Sequence, residues 1–353
     1  MGLEFSLTLC PMLYAPCDSG NERFSVDEQV LRLLRRHPSG FVSGEGIARH
    51  LKVTRTAVWK RVQRLRAAGY EIKASRRLGY HLVQAPDLLT PEEVLPGLKT
   101  RTFGRKVHYF PALPSTNTEA YQLALQGGRE GEIVIAECQR KGRGRIGRPW
   151  FSPAFVNLYL SVVLRPPISP HHASLITFVA AVATAEAVER FSGMKPSIKW
   201  PNDILVKGRK LAGLLNEIHS EADRIHFVIL GIGINLNVDE NMFPRKIRSL
   251  ATSLKREMGQ AISRKAFLQI LLEELEHWYE IFLRKGSSPI LKAWRARARI
   301  AGKQVKISSF DEVFVGRAVD VDSEGALLVQ MRDGKQKRIV AGDVEFTRRN
   351  NEQ

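Results

Sequence analysis

Cysteine is scarce: the 353 residues hold three, Cys10, Cys17 and Cys138. They form neither a disulfide framework nor a metal-binding spacing. That excludes a disulfide-stapled scaffold and points to a reducing, cytoplasmic setting. Long apolar runs are also missing. The longest, from Leu175 to Ala187, is interrupted by Thr177 and Thr184 and falls short of the roughly 20 residues a membrane span needs. No basic stretch precedes the first apolar residues, so no signal peptide is expected. Acidic residues are the other deficit. Asp and Glu number 36 against 54 Lys and Arg, which leaves a net charge of +18. Such a balance calls for a polyanionic partner: nucleic acid, phosphates or an acidic surface. What is present, 44% hydrophobic and 25% charged residues, is a globular composition and excludes a mostly disordered chain. The length allows about two or three domains.

Residues 1–24 lack periodicity and read as an ill-ordered extension. From Val26 the pattern is helical, with Val26, Val30, Leu33 and Leu34 on one face. Ser43 is placed to cap a short helix with Ile47, Ala48 and Leu51 inward. Thr54 is placed to cap a third helix, with Val58, Val62 and Leu65 inward and a stop at Gly69. Two alternating segments, 71–75 and 80–83, flank Arg76–Gly79. Three helices and a hairpin over residues 25–85 predict a winged helix-turn-helix. Gln84–Asp87 reads as a linker. Thr90-Pro91-Glu92-Glu93 then combines an N-cap, Pro at the first helical position and Glu at the third. It opens a second domain over 86–301. There, strands at 132–136, 157–164, 204–206, 210–218 and 225–234 mix with helices at 171–191 and 264–283. That order predicts an α+β fold around a mainly antiparallel sheet. Over 302–349, short runs at 305–307, 313–321, 326–331 and 338–340 predict a small all-β barrel.

Between Val26 and Ala85 thirteen Lys and Arg face four acids, so half of the net charge sits in about a sixth of the chain. On the third helix Arg55, Thr56, Trp59, Lys60 and Gln63 face away from the core positions. A recognition helix needs such a face, with polar groups for base edges and cations for phosphates. Arg76 and Arg77 at the wing tip suit the adjacent backbone or minor groove. The alternative is a basic module that only packs on its neighbour.

A glycine–arginine loop, Gly142-Arg143-Gly144-Arg145-Ile146-Gly147-Arg148-Pro149-Trp150, follows the strand ending at Ala136. Glycine allows close backbone approach to an anion, and three arginines surround a phosphate or an anhydride with fork-shaped donors. The loop is neither a P-loop nor a dinucleotide fingerprint, because GxxxxGK[ST] is absent and no helix start follows. Taken alone it also fits an RGG-like tract binding RNA. Ile198-Lys199-Trp200-Pro201-Asn202-Asp203-Ile204 decides against that. It puts Lys199 at a strand end and presents the Asn202 amide and Asp203 carboxylate in one turn. Lys210-Leu211-Ala212-Gly213 and Gly231-Ile232-Gly233-Ile234-Asn235 follow on strands whose glycines leave room for a ligand.

The series GRGRIGRPW, KWPND, KLAG and GIGIN, in this order, resembles the signature of biotin protein ligases. Pro114-Ser115-Thr116-Asn117 is similar to the family's biotin segment, and Glu137-Cys138-Gln139 to its glutamine-containing strand end. With the winged helix in front and an SH3-like barrel behind, residues 26–348 resemble the bifunctional biotin ligase and biotin-operon repressor. Residues 1–24 and Lys141 depart from the pattern. The resemblance implies ATP- and Mg²⁺-dependent activation of biotin to biotinyl-5′-AMP and transfer to a lysine of a biotin carboxyl-carrier protein. It implies operator DNA as a second partner, biotinyl-5′-AMP as corepressor, a ligand-promoted homodimer and no membrane. By the same resemblance Ser115, Thr116 and Asn117 bind the ureido ring, while Gln139, Arg143, Gly144 and Arg145 flank the ligand. Lys199 lies between the biotin carboxyl and the α-phosphate. Arg143, Arg148, Trp150, Asn202 and Asn235 fall to the nucleotide. Asp203 is the candidate for orienting or deprotonating the acceptor lysine, which needs a neutral amine; holding Mg²⁺ or capping the turn is the other reading. Trp150 stands open between adenine and the core. Two alternatives remain: a ligase whose winged helix does not repress, and a regulator with an inactive ligase domain. The complete set of charged motif residues weighs against the latter.

Overall fold

The computed structural model describes residues 26–346, apart from 68, 299 and 309–311. The expected extension over 1–24, with Cys10 and Cys17, and positions 347–349 lie outside the described residues. The chain divides between Asp87 and Leu88 into two compact units.

The first unit is α1 (Val26–Arg35), α2 (Gly44–Leu51) and α3 (Arg55–Ala67), then an antiparallel hairpin of β1 (Glu71–Ser75) and β2 (Gly79–Gln84). Both expected caps form: Ser43 Oγ accepts the Gly46 N–H at 3.4 Å, and Thr54 Oγ1 that of Ala57 at 3.2 Å. Val30, Leu34, Ile47, Val58, Val62 and Leu65 build the core. Leu31, outside the expected face, is buried too, because α1 meets both α3 and the wing. Gly79 is obligatory: its φ is +102°, and a Cβ there would collide with the Val42 carbonyl, which bonds Tyr80.

In the second unit seven strands form one sheet among the described residues. They are β3 (Val107–Phe110), β4 (Ile133–Ala136), β5 (Leu158–Leu164), β6 (Ser197–Lys199), β7 (Asp203–Val206), β8 (Arg209–Ser220) and β9 (Ile225–Ile234). Their order is β3-β4-β5-β9-β8-β7-β6, and only β3–β4 is parallel. The helices are α4 (Pro91–Val94), α5 (Thr116–Leu125), α6 (Leu175–Ser192), α7 (Leu254–Met258), α8 (Arg264–Lys285) and α9 (Ser287–Ala298). One sheet face packs on α6, with α8 and α9 behind it. The other, through Val134, Ala136 and Val163, packs on Ala120 and Ala124 of α5. The segment Pro170–Ser192 is long and apolar enough to cross a membrane, but α6 is buried against the sheet, α8 and α9 as a core helix.

One expected helix start forms without its side-chain cap and one is corrected: α4 begins at Pro91 with Thr90 at the N-cap position. Thr90 Oγ1 makes no cap bond and is buried without a partner. Its carbonyl takes the first N–H groups instead, Glu93 is drawn to Lys265 at 3.3 Å, and Pro96-Gly97 limits α4 to one turn. The long helix begins at Leu175. His171 and His172 lie in a separate 3-10 turn, Pro170–His172, and the Ser174 hydroxyl at the break donates to Glu324 O at 2.8 Å.

The C-terminal strands are β10 (Gln304–Ser308), β11 (Val313–Val321), β12 (Leu327–Gln330), β13 (Gln336–Ile339) and β14 (Asp343–Phe346), antiparallel in the order β13-β12-β11-β10-β14. Val305, Ile307, Leu327 and Val329 join the same core as the large sheet. Trp200 Nε1 donates to Gly325 O at 3.0 Å across the seam.

Candidate active site

The antiparallel register lines up a row of residues that lie far apart in sequence. Tyr159 of β5 pairs with Gly233 of β9, Gly233 with Gly213 of β8, Gly213 with Asp203 of β7, and Asp203 with Lys199 of β6. Paired residues share a sheet face, here the α5 face. A parallel row joins Ser161, Gly231 and Leu215. The glycines make a floor, and two side chains lie on it. A Cβ at Gly233 would stand 2.5 Å from the Trp150 indole, and one at Gly213 would stand 2.9 Å from it. At Gly231 a Cβ would overlap the Asn117 amide.

At one end of the floor stands the first turn of α5. Gln139 Oε1 accepts the Thr116 N–H at 2.9 Å and the Thr116 hydroxyl at 3.2 Å, while Gln139 Nε2 donates to Ser152 Oγ at 3.2 Å. Ser161 Oγ lies 2.8 Å from Thr116 Oγ1 and 2.6 Å from Asn117 Oδ1. Asn117 Nδ2 donates to Glu217 at 2.7 Å. Ser115, Thr116 and Asn117 are all buried, although the Ser115 side chain caps no helix N–H. Of the expected urea-binding residues, Thr116 and Asn117 form one polar network with Gln139 through Ser161, and Ser115 is buried beside them.

The glycine–arginine loop folds back on itself. Trp150 N–H meets Gly142 O at 2.9 Å, and Gly144 N–H meets Arg148 O at 2.7 Å, so the Gly144 amide is turned into the loop. At the tip, Ile146 (φ +54°) is exposed. The arginines go three ways. Arg143 contacts Glu217 at 3.2 Å and Thr118 at 3.2 Å. Arg145 reaches Gly342 O at 3.5 Å; burial lowers its pKa from the ordinary guanidinium value, opposed by the Asp343 and Asp203 carboxylates. Arg148 pairs with Asp343 of the C-terminal sheet. The sequence did not indicate that this sheet supplies Asp343 to the site.

The other end holds the charges. Lys210 Nζ lies 2.6 Å from Asp203 Oδ1 and 5.3 Å from the Trp150 ring centroid. The backbone of Lys210 is held by Leu250 O and the Thr252 N–H. In the sequence this motif stands out for its glycine, and the lysine gains its place only from the fold. Lys199 stands half-buried at the end of the row. Asp203 is engaged by Lys210. Asn202 Nδ2 donates to Leu214 O at 2.6 Å, and Asn235 is buried with its Oδ1 accepting from Asn157 at 3.3 Å. Both amides are committed to the framework. Trp150 Nε1 is buried without a hydrogen-bond partner, an orphan donor over the floor. Cys138 is half-buried, and burial pushes its thiol pKa up.

In the first unit Arg55, Thr56, Trp59 and Lys60 are exposed on α3 and Gln63 is half-buried; Arg76 and Arg77 are exposed in the wing turn. Trp59 keeps 52% of its surface exposed. Other cations of the unit serve the fold: Arg61 and Arg64 meet Asp27 at 3.4 Å each, and Arg66 donates to Ile72 O.

The family described as "Biotin/lipoate A/B protein ligase family" matches residues 109–235, an "HTH domain" matches 27–81, and a "Biotin protein ligase C terminal domain" matches 300–347. The "Bifunctional ligase/repressor BirA" of Bacillus subtilis is 37% identical over 92% of this chain and 99% of its own length. The Escherichia coli protein of the same name is 32% identical over 87% of this chain and 93% of its own length. A solved structure described as biotin protein ligase from Aquifex aeolicus in complex with biotin and ATP is similar with a TM-score of 0.60 and 26% identity. It covers 69% of this chain and 99% of that one.

Proposed function

The chain belongs to the biotin protein ligase family, as a bifunctional ligase and repressor, and from that premise we propose how its pocket does the work. It activates biotin with ATP to biotinyl-5′-AMP and transfers the biotinyl group to a lysine of a carboxyl-carrier protein. Its winged helix binds DNA as a repressor of biotin biosynthesis. The glycine floor, flanked by a hydrogen-bonding end and a cationic end, is the observation that carries the division of labour.

The ureido ring lies against Ser115, Thr116, Asn117 and Gln139, whose network supplies both donors and acceptors. Trp150 itself covers Gly233 and Gly213, so the valerate chain runs along the edge of the indole and the carboxylate arrives beside Lys210. A carboxylate is ionised near pH 7 and needs no base for the first step. It needs two anions held together while charge shifts at phosphorus. Lys210, braced by Asp203, stands nearest for this; Lys199 and Arg145 complete the cationic end, with Arg143 and Arg148 on the polyphosphate side. Asn202 shapes the nucleotide side through the Leu214 carbonyl it holds, and Asn235 through the Asn157 amide. In the second step the acceptor amine attacks the acyl carbon and AMP leaves. Asp203 then orients the amine through its place beside Lys210.

Mg²⁺ fits as the triphosphate's companion. Among the described residues no three His, Cys, Asp or Glu converge as a metal site, and Mg²⁺ commonly rides on substrate phosphates with one or two carboxylates. When bound it supplies further neutralisation of the phosphates. Arg55, Thr56, Trp59, Lys60, Gln63, Arg76 and Arg77 contact the operator in the cytoplasm, and the adenylate favours a homodimer that presents two such helices.

Biotin-dependent ATP–pyrophosphate exchange, followed by biotin transfer to a carrier domain, tests the enzyme assignment. Both are expected, and absence of exchange at saturating biotin would overturn it. Footprinting of the biotin-gene promoter with and without biotin and ATP tests repression.

A further inference from the structure

Arg264 is a cation in the interior, outside every motif of the pocket. It sits at the first position of α8, where the helix dipole disfavours positive charge. Its side chain and that of Glu137 are both 0% exposed. A buried ion pair is weak grounds for stability, because apolar replacements often do as well. What this pair holds is more informative. Glu137 Oε2 takes Arg264 Nη1 at 2.5 Å, while Oε1 accepts the Leu89 N–H at 3.3 Å. Glu137 stands two residues before Gln139, which grips Thr116. Arg264 Nη1 also donates to Asn157 O at 3.2 Å. The Asn157 side chain in turn accepts the Leu236 N–H at 2.9 Å and donates to Asn235 Oδ1 at 3.3 Å. One guanidinium therefore joins the end of β4 to the entrance of β5 and the exit of β9.

We infer that Arg264 and Glu137 are the positioning pair of the biotin end of the pocket. They fix the wall that carries Gln139 and Thr116 relative to the wall that carries Asn157 and Asn235. This rests on the assignment of the biotin ring to Ser115–Asn117 and Gln139. The cationic end is less exposed to the pair, because β9 and β8 intervene between β5 and Asp203 of β7. Glu137 is bonded directly within the segment that carries Gln139, whereas Asn235 on the nucleotide side is reached only through Asn157, so a loosened pair weakens biotin binding far more than ATP use. A residue that only held up the fold would affect both substrates together.

The test uses the full-length chain with Arg264→Lys, Glu137→Gln and the double variant Arg264→Met/Glu137→Gln, which leaves no unpaired buried charge. Biotin Kd is measured by titration, the ATP KM by pyrophosphate exchange at saturating biotin, and folding by thermal midpoint. The double variant is expected to fold and to bind biotin at least tenfold more weakly, with an ATP KM within twofold of the parent. Arg264→Lys should fall between, as a partial rescue. A folded double variant with parental biotin affinity, or one losing biotin and ATP equally, would overturn the inference. Where the double variant does not fold, Arg264→Lys decides by the same two readings. Gln139→Ala separates the premise from the inference: unchanged biotin binding there removes the subsite assignment, whatever the pair does.

Discussion

Replacing Lys210 by Met is the sharpest probe of the cationic end. The ammonium lies 2.6 Å from Asp203 and over Trp150, which orients it across the glycine floor. A phosphate oxygen about 5 Å from that charge, at an effective dielectric of about 20, interacts with it by about 3 kcal/mol. Each 1.36 kcal/mol is about tenfold in rate, so its loss alone costs about 100-fold. Asp203 would then face the phosphates without its partner, which pushes the loss further. The two side chains are 35% and 19% exposed, so water screens that repulsion and keeps the total near the lower figure. Biotin-dependent pyrophosphate exchange reads the effect directly. Lys210→Met/Asp203→Asn should recover part of the loss, because the uncompensated carboxylate is gone. Lys199→Met, beyond Asp203 in the row, should cost less than Lys210→Met. A Lys210→Met rate within threefold of the parent, or a larger loss at Lys199, would refute the placement of the charge.

Three other outcomes follow from the same geometry. Gly233→Ala puts a methyl 2.5 Å from the Trp150 indole; overpacking of about 1–3 kcal/mol should weaken adenylate retention roughly tenfold, and an adenylate dissociation rate equal to the parent's would count against Trp150 as the cover. Burial raises the Glu130 pKa above 4.5, opposed by the Arg165 N–H and Tyr279, so stability tied to its protonated form is present below 4.5 and lost as pH rises through the folded-state value. Glu130→Gln keeps an acceptor for the Arg165 N–H, and its thermal midpoint should gain on the parent from pH 5 to pH 8; a constant difference would reject burial as the cause. Arg76→Ala/Arg77→Ala should weaken operator binding and lower its salt slope by up to about two, whereas an unchanged slope would place both arginines off the phosphates.

The elements the sequence revealed are those with strong local signals. Ser43 and Thr54 cap as expected because a cap is settled within three residues. The apolar, β-branched run from Ile225 to Ile234 announces β9 for the same reason. α5 gives little local signal: Ser115 precedes it without a side-chain cap bond, and its first residues, Thr116 and Asn117, are polar groups buried toward the pocket. α9 was hidden by Gly286 and by Pro289 in its first turn. The short strand β3 and terminal β14 gain their order from neighbours rather than from pattern.

The site was legible as a set of residue types and illegible as an arrangement. Lys210 stands in an alternating basic segment, where a lysine ordinarily marks a solvated face. Only the pairing of β7 with β8 places it on Asp203, and only the folded loop brings Trp150 over it. Arg264 misleads in the opposite direction. An arginine opening an amphipathic helix reads as surface, and its burial becomes visible once Glu137, 127 residues earlier, is seen to meet it. Asp343 belongs to the same class, since its link to Arg148 joins two parts of the chain that the sequence reads as separate domains. Motifs thus report which groups the chemistry requires. The partners that aim those groups are chosen by the register of the sheet and by helix docking, and no local spacing encodes either.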